Sequence, residues 1–269
     1  MNAWLELRKH LALLLQFAKL SLMTQMEYRA NFFAGIFVES MFLLAKLLYV
    51  LVLYRTQLAV GDLTPDLILL FMGTHILMTG IYMGLFFNNF ARLIEDVRTG
   101  MLDLLLVKPV SLQFVASTRL IELGMPIPNL IAGTAMVAIG WQRAGLPATV
   151  GTVGGYLLLL LLGTAVTYAV MIVPALLSFW FVQTSAASEI SYAVWDANNM
   201  PFALYGKWIQ RIGLFILPVF LITNFGPLYA MGKLQGPLLL WGLAGPPLLL
   251  LLVRLVWKRA LRSYASANL

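Results

Sequence analysis

The chain is organised as long apolar runs separated by short polar segments. Most of the runs reach or exceed the roughly 20 residues that an α-helix needs to cross a bilayer. Charged residues are rare inside the runs and frequent between them. The pattern therefore predicts an all-α integral membrane protein with six transmembrane helices, at about 32–54, 67–88, 119–141, 152–182, 212–231 and 238–257.

The residues before the first run predict a helix of another kind. Apolar side chains recur at helical spacing over residues 4–29, with polar side chains largely between them, which is typical of a helix lying on a membrane surface. Lys19 interrupts the apolar stretch and no small-residue cleavage site follows, which argues against a signal peptide. We expect an interfacial helix over residues 1–30, with an apolar face made by Trp4, Leu7, Leu11, Leu14, Leu15, Ala18 and Leu22.

The longest charged insertion, residues 90–109, follows the second run. Its charged residues alternate with apolar ones, so we expect one or two short amphipathic helices, broken at Gly100 and stopped by Pro109. Two interpretations remain open at this point. The segment either presents an apolar ridge with charged flanks to a soluble partner, or it is a solvated loop whose apolar side rests on the lipid headgroups.

Proline, glycine and polar residues interrupt the later runs. Pro126 and Pro128 are expected to bend the third helix, and the fourth run is long enough that its helix should tilt or project from the membrane. The polar stretch 184–211 is interpreted as a second cytoplasmic connection. The fifth helix then begins at Ile212, and a Gly-Pro pair breaks it, so we expect a broken or re-entrant element over residues 224–236.

Composition agrees with a membrane protein. Hydrophobic residues make up 61% and charged residues 11% of the 269 residues, and the mean hydropathy is +0.88. A soluble domain has roughly 25% charged residues. One membrane domain over residues 1–269 is therefore expected, without a soluble catalytic domain beside it. The chain has no cysteine, and His10 and His75 are too far apart in sequence to suggest a metal cluster.

The basic residues set the expected orientation. Lys and Arg of multi-span proteins collect on the cytoplasmic side, which accounts for the net charge of +7 without a nucleic-acid partner. With both termini inside, the outer side carries only Arg55, Arg143 and Lys233. The cytoplasmic side then carries Arg8, Lys9, Lys19, Arg29, Arg92, Arg98, Lys108, Arg119, Lys207, Arg211, Arg254, Lys258, Arg259 and Arg262.

Two charged residues fall within the first run. Glu39 lies near the expected midplane, where an ionised side chain costs about 2.5–3.5 kcal/mol on insertion scales. Lys46 lies on nearly the same helix face, nearer the outer surface, where it could extend its amine outwards. Glu39 either contacts the cargo of a transport path or is satisfied by a neighbouring helix, and both interpretations stay open.

Three stretches resemble one family of membrane proteins. Residues 97–109 (Val-Arg-Thr-Gly-Met-Leu-Asp-Leu-Leu-Leu-Val-Lys-Pro) resemble the Gly-x-Leu-Asp-x-x-Leu-x-Lys-Pro loop of type-2 ATP-binding-cassette (ABC) permeases, particularly the bacterial subfamily associated with viologen and drug export. Residues 201–210 with 215–218, and residues 257–264, are similar to further stretches of that family. Gly206 is a departure, because the family's Tyr-Pro-x-Trp pattern has proline there.

The resemblance implies a half-transporter in the inner (cytoplasmic) membrane of a bacterium. Such a subunit pairs with a second permease, identical or homologous, and two separate ATPase subunits dock beneath the pair and hold the ATP and Mg²⁺. No cofactor is expected on this chain. The loop that the resemblance assigns to ATPase coupling contains Arg92, Glu95, Asp96, Arg98, Gly100, Met101, Leu102, Asp103, Leu104, Leu105, Lys108 and Pro109.

The expected cargo is a hydrophobic, amphipathic or cationic compound, which includes drug-like molecules, natural products and lipids. Aromatic and methionine side chains suit such a cargo, although lipid-facing surfaces use the same residues. The candidate residues of the substrate path are Glu39 and Asn224. Export, as opposed to import, is implied by the resemblance alone.

Other functional classes fit the sequence less well. Residues 226–234 come nearest to a phosphate-binding loop, but they have one residue too many and Leu in place of the Ser or Thr that binds magnesium. ATP hydrolysis is therefore expected in a partner subunit. The alternative is a secondary transporter driven by an ion gradient, which favours several midplane carboxylates and an internal repeat. An intramembrane enzyme is disfavoured, since HExxH and GxSxG motifs are absent.

Overall fold

A computed structural model describes residues 3–56 and 63–267, and its long elements are all α-helices. Four stretches in these residues are long and apolar enough to cross a membrane: Arg29–Thr56, Pro65–Thr99, Val150–Leu177 and Pro237–Tyr264. The helices are α1 (Ala3–Glu27), α2 (Arg29–Thr56), α3 (Pro65–Tyr82), α4 (Asn88–Thr99), α5 (Asp103–Leu106), α6 (Leu112–Thr118), α7 (Pro126–Arg143), α8 (Val150–Met171), α9 (Val173–Leu177), α10 (Ser185–Asp196), α11 (Lys207–Arg211), α12 (Phe220–Thr223), α13 (Phe225–Ala230) and α14 (Pro237–Ala267).

The second apolar run and the charged segment after it form one continuous helical stretch. A π-helical turn, Met83–Phe87, joins α3 to α4, so Pro65–Thr99 is helical throughout. Thr64 begins the stretch, because its Oγ1 accepts a hydrogen bond from the Leu67 N–H (3.4 Å) and proline follows in the first turn. The first turns of the charged segment are therefore rigidly connected to a membrane helix.

Helices α3 and α7 pack closely through glycine. A Cβ on Gly73 would lie 2.8 Å from the Val137 backbone nitrogen, and a Cβ on Gly140 would lie 2.8 Å from that of Leu70. Gly80 of α3 and Gly84 of the π-helical turn continue the contact with α7. Small residues let two helix backbones approach in this way. The close contact holds α7 beside α3, although α7 is not among the four stretches long and apolar enough to span.

The third predicted helix begins later than expected. Residues 112–118 form the separate helix α6, and residues 119–125 are irregular. The irregular segment is held by Asn89, whose Nδ2 donates to the Leu120 carbonyl (2.7 Å) and whose Oδ1 accepts from the Leu120 N–H (2.9 Å). Pro126 stands in the first turn of α7, where a missing N–H is tolerated. The prediction that prolines bend a helix starting at Arg119 is therefore wrong.

Helix α10 corrects the interpretation of 184–211 as a cytoplasmic connection. The ring of Trp195, near the end of α10, lies 4.9 Å from that of Tyr82 and 5.8 Å from that of His75. His75 is in the interior of α3, far from the charged end at Thr99. The end of α10 therefore packs beside the interior of α3, where Trp195 is buried, and the ring of Tyr192 of α10 lies 6.4 Å from that of Phe87.

The chain continues from α10 in short pieces and forms no continuous helix beginning at Ile212. A π-helical turn, Ile212–Ile216, ends before Pro218, and the Leu214 carbonyl accepts a hydrogen bond from Trp241 Nε1 of α14 (2.8 Å). Helices α12 and α13 then pack along α8. The predicted interruption at 224–236 is thus part of a longer broken region, 197–236, which closes with positive φ at Gly232 and Gly236.

Candidate functional site

The charged loop, residues 92–108, starts on the last turns of α4 and turns sharply at Gly100. This glycine has φ +74°, a left-handed conformation. Glycine adopts it without steric penalty because it has no side chain. Beyond it, the Leu102 N–H donates a hydrogen bond to the Asp96 carbonyl (3.1 Å), and α5 begins at Asp103. The predicted break at Gly100 is confirmed, and α5 ends before Pro109.

Burial divides the predicted coupling residues into two groups. Leu102 and Leu105 are buried in the main apolar cluster, which also contains Phe90 and Val115. Arg92, Arg98, Gly100, Asp103, Lys108 and Pro109 are exposed. The apolar residues that remain accessible form what we call the α5 ridge: Met101, Leu104, Leu106 and Val107.

Asp96 links the charged loop to the segment before α7. Its carboxylate is buried, accepts a hydrogen bond from Arg92 Nε (2.9 Å) and pairs with Arg119 from the irregular segment before α7. A buried carboxylate needs such charge-assisted partners to offset its desolvation. Glu95 by contrast pairs with Arg98 (2.8 Å) in a largely exposed position. Of the two neighbouring acids, Asp96 therefore has the structural role.

Helix α1 packs against the segment that follows the charged loop. Lys9 Nζ donates to the Pro109 carbonyl (3.1 Å), and the His10 ring meets the Phe114 ring edge-on at 4.6 Å. Further along α1, Gln25 Nε2 donates to the Ile121 carbonyl (2.7 Å). The N-terminal helix thus holds the segment that follows the loop in place. Of the expected interfacial helix, residues 1–2 lie outside the described residues.

Glu39 lies against α7. Asn129 Nδ2 donates to its Oε1 (2.7 Å), and both side chains are buried. This contact supplies the helix neighbour that one of the two interpretations requires, because a buried carboxylate needs a donor. It does not test a role in cargo binding, which stays a prediction.

Asn224 lies in the broken region and is fully buried. Its Oδ1 accepts from the Phe202 N–H (2.7 Å), and its Nδ2 donates to Thr223 Oγ1 (3.1 Å). These hydrogen bonds tie the turn after α10 to the junction of α12 and α13. The structure does not bring Asn224 into contact with Glu39, so the two candidate path residues do not form one site within the chain.

Three polar residues near these sites escaped prediction from the sequence. Arg119 and Asn129 are the partners of Asp96 and Glu39, and each is distant from its partner in sequence. The third, His75, is buried with no hydrogen-bond partner for its Nδ1 among the described residues. Asn129 and His75 could have been selected from the sequence as candidates, because each is an isolated polar residue in an apolar run.

Comparison with known proteins supplies a family. A family model described as ABC-2 family transporter protein matches residues 40–268, most of the chain. The matched range includes the charged loop and Asn224, and Glu39 lies immediately before it. A search of curated proteins and a search of solved structures each gave no match.

Proposed function

Because the chain belongs to the ABC-2 transporter family, we propose that it is the transmembrane subunit of an ATP-driven exporter in a bacterial inner membrane. Two ATPase subunits dock on the charged loop and hydrolyse the ATP, and this chain contributes no ATP site. A second permease subunit, identical or homologous, completes the transport path. The cargo is a hydrophobic or amphipathic molecule that enters from the lipid phase; the cationic class expected from the resemblance is tested through Glu39 below.

The α5 ridge is the observation that carries this proposal. Leu104 and Val107 are 59% and 82% exposed, whereas Leu102, immediately before α5, and Leu105 within it are buried. An apolar ridge held by its own core residues and flanked by charges suits docking to a soluble partner better than a freely solvated loop. Its attachment to the continuous stretch Pro65–Thr99 gives a rigid connection from a docked ATPase to a membrane helix.

The proposed topology has six crossings with both termini in the cytoplasm. The four long stretches supply four crossings, α7 supplies another, and α10 with α12 and α13 supplies a broken one that contains the re-entrant region. Irregular backbone is compatible with the membrane where protein shields it, and α8 and α14 pack beside this region. This topology places Lys207 and Arg211 in the broken crossing and not in a cytoplasmic connection. Most of the basic residues still lie on the same side as the charged loop.

The docking assignment is tested by placing a charge on the ridge. Leu104→Asp with Val107→Asp should leave the permease folded and inserted, because both side chains are exposed, and should reduce copurification of the ATPase at least tenfold. Val150→Asp is the matched control, since Val150 is 93% exposed at the start of α8. Leu102→Asp is unsuitable, because Leu102 is fully buried and the substitution would disturb folding.

Retained ATPase binding with coupled transport in the double variant would contradict the docking assignment. The secondary-transport alternative is separated in the same preparation. Transport by proteoliposomes containing permease and ATPase should require ATP and persist when a protonophore collapses the proton gradient. Transport that needs a gradient and ignores ATP would favour the alternative.

A further inference from the structure

A small cavity lies between α2, α3 and the link that follows α10. Its volume is about 200 Å³, and its polar lining is made by Lys46, Tyr49, His75 and Asn199, with methionines among its apolar lining. Pockets that enclose a whole drug-sized ligand measure about 300–1,000 Å³. This cavity therefore fits a headgroup or a small end of a larger molecule.

The cavity is deep in the proposed membrane. Lys46 and His75 are each ten residues from the helix end on the proposed outer side, at Thr56 and Pro65. A rise of about 1.5 Å per residue places both about 15 Å below those ends, within the outer half of a hydrocarbon core about 30 Å thick. A lysine at this depth needs a counter-ion or water, because an uncompensated charge in hydrocarbon is unfavourable.

The protein does not supply that counter-ion in the described residues. Lys46 has neither an ion pair nor a hydrogen bond there, and no acidic residue lines the cavity. The nearest acid along α2, Glu39, lies two turns away and is hydrogen-bonded to Asn129. Among the residues that the structure describes, the cavity thus has a positively charged side chain and no negatively charged one.

His75 gives the second, independent observation. Its side chain is only 3% exposed, lines the cavity and has no partner for Nδ1 among the described residues. Buried polar groups are normally hydrogen-bonded, so such a group calls for an explanation. A ligand oxygen or proton donor in the cavity would satisfy it. Tyr49 and Asn199 offer further donors to the same space.

We propose that this cavity binds the acidic headgroup of an amphipathic organic anion, with Lys46 as its counter-ion and His75 as a hydrogen-bonding partner. The apolar tail leaves along α2, most of whose surface is exposed. The ligand is cargo rather than a resident phospholipid, because phospholipid headgroups lie at the membrane surface and the cavity lies below it, within the hydrocarbon core. The assignment of the ligand as cargo rests on the proposed export function, whereas the proposed binding of an anion does not.

The test uses the purified full-length permease in phosphatidylcholine nanodiscs. Three photoreactive probes share one alkyl chain with a diazirine and differ in the headgroup, which is a carboxylate, an alcohol or a trimethylammonium. The carboxylate probe should label the protein saturably and more strongly than the other two. Equal labelling by all three would overturn the proposal, because it would show an apolar surface without charge preference.

Variants locate the binding site. Lys46→Gln should weaken labelling by the carboxylate probe at least tenfold, and Lys46→Arg should retain it. Lys19→Gln removes the same charge from exposed α1 and is the matched control. Met200→Trp, which fills the cavity without changing charge, should also abolish saturable labelling, and it decides the question if Lys46→Gln unfolds. Unchanged labelling in a folded Lys46→Gln or Met200→Trp variant would overturn the proposal.

Two further measurements distinguish cargo from resident lipid as the ligand, and the anion-binding proposal from the docking proposal. Phosphatidylglycerol in the nanodisc should not displace the carboxylate probe; displacement would assign the site to a resident anionic lipid and overturn the cargo assignment. ATPase copurification is measured on the same variants. Lost anion binding with normal ATPase binding separates this cavity from the docking loop, so either proposal can fail while the other stands.

Discussion

Replacing Asp96 with asparagine should loosen the charged loop without changing any side chain of the α5 ridge. Asp96 stands where the loop leaves α4, with its carboxylate between Arg92 and Arg119 and its carbonyl bonded to the Leu102 N–H. Asn keeps the shape and one acceptor oxygen but removes the negative charge. Arg119 then remains mostly buried, with 20% of its side chain exposed, and without a counter-ion.

The size of the effect follows from burial. Removing one partner of a buried ion pair costs about 3–5 kcal/mol. Half of the Arg92 side chain is exposed and can recover water, whereas Arg119 largely cannot. We therefore expect the lower end of that range, about 3 kcal/mol, which corresponds to a roughly hundredfold larger open fraction of the loop.

Hydrogen exchange of the folded permease measures this opening. Amides of residues 100–106 should exchange roughly a hundredfold faster in Asp96→Asn. The matched control is Glu95→Gln, which breaks the exposed pair with Arg98 and should change the exchange by less than about tenfold, since surface pairs contribute about 0–1 kcal/mol. Equal acceleration in the two variants, or none in either, would refute the anchoring role of Asp96.

Three further predictions concern other parts of the chain. Gly206→Pro should raise the free energy of unfolding by about 0.4–1 kcal/mol, measured by denaturation in detergent, because Gly206 already has φ −59° in open space; a loss of stability would contradict this geometry. Glu39→Gln should leave cation export and ATPase activity unchanged if Asn129 is its functional partner, and a selective loss of cation export in folded protein would favour a cargo role. A single cysteine at Gln235 should react with an impermeant maleimide from outside, and labelling only from the cytoplasm would overturn the topology.

Local chemistry explains the features that the sequence predicted well. Gly100 ends a helix because a residue in the left-handed conformation is needed there. Glycine is the residue that most often takes this position, so the sequence alone predicts the helix end. The apolar spacing of residues 4–29 similarly predicts α1. The membrane class follows from composition, since no arrangement of neighbours is needed to infer it.

Features that depend on distant partners could not be predicted. Alternation indicated an amphipathic loop, but only the packing of the main apolar cluster makes Leu102 buried and Leu104 exposed. Nothing local tells whether Pro126 bends a helix or begins one, because either use fits its missing N–H. The polar composition of α10 resembles a connection, and its packing against the interior of α3 becomes apparent only from the contacts of Trp195.

The contact between the α5 ridge and an ATPase is tested most directly by cross-linking. The chain has no cysteine, so Leu104→Cys introduces a single thiol on the exposed ridge, and Val150→Cys introduces one at the other end of the molecule. With a partner ATPase carrying one cysteine on its membrane-facing surface, a short bifunctional maleimide should join the two subunits from position 104 and leave position 150 unlinked. An active complex that yields no adduct from position 104, or yields as much from position 150, would contradict the account.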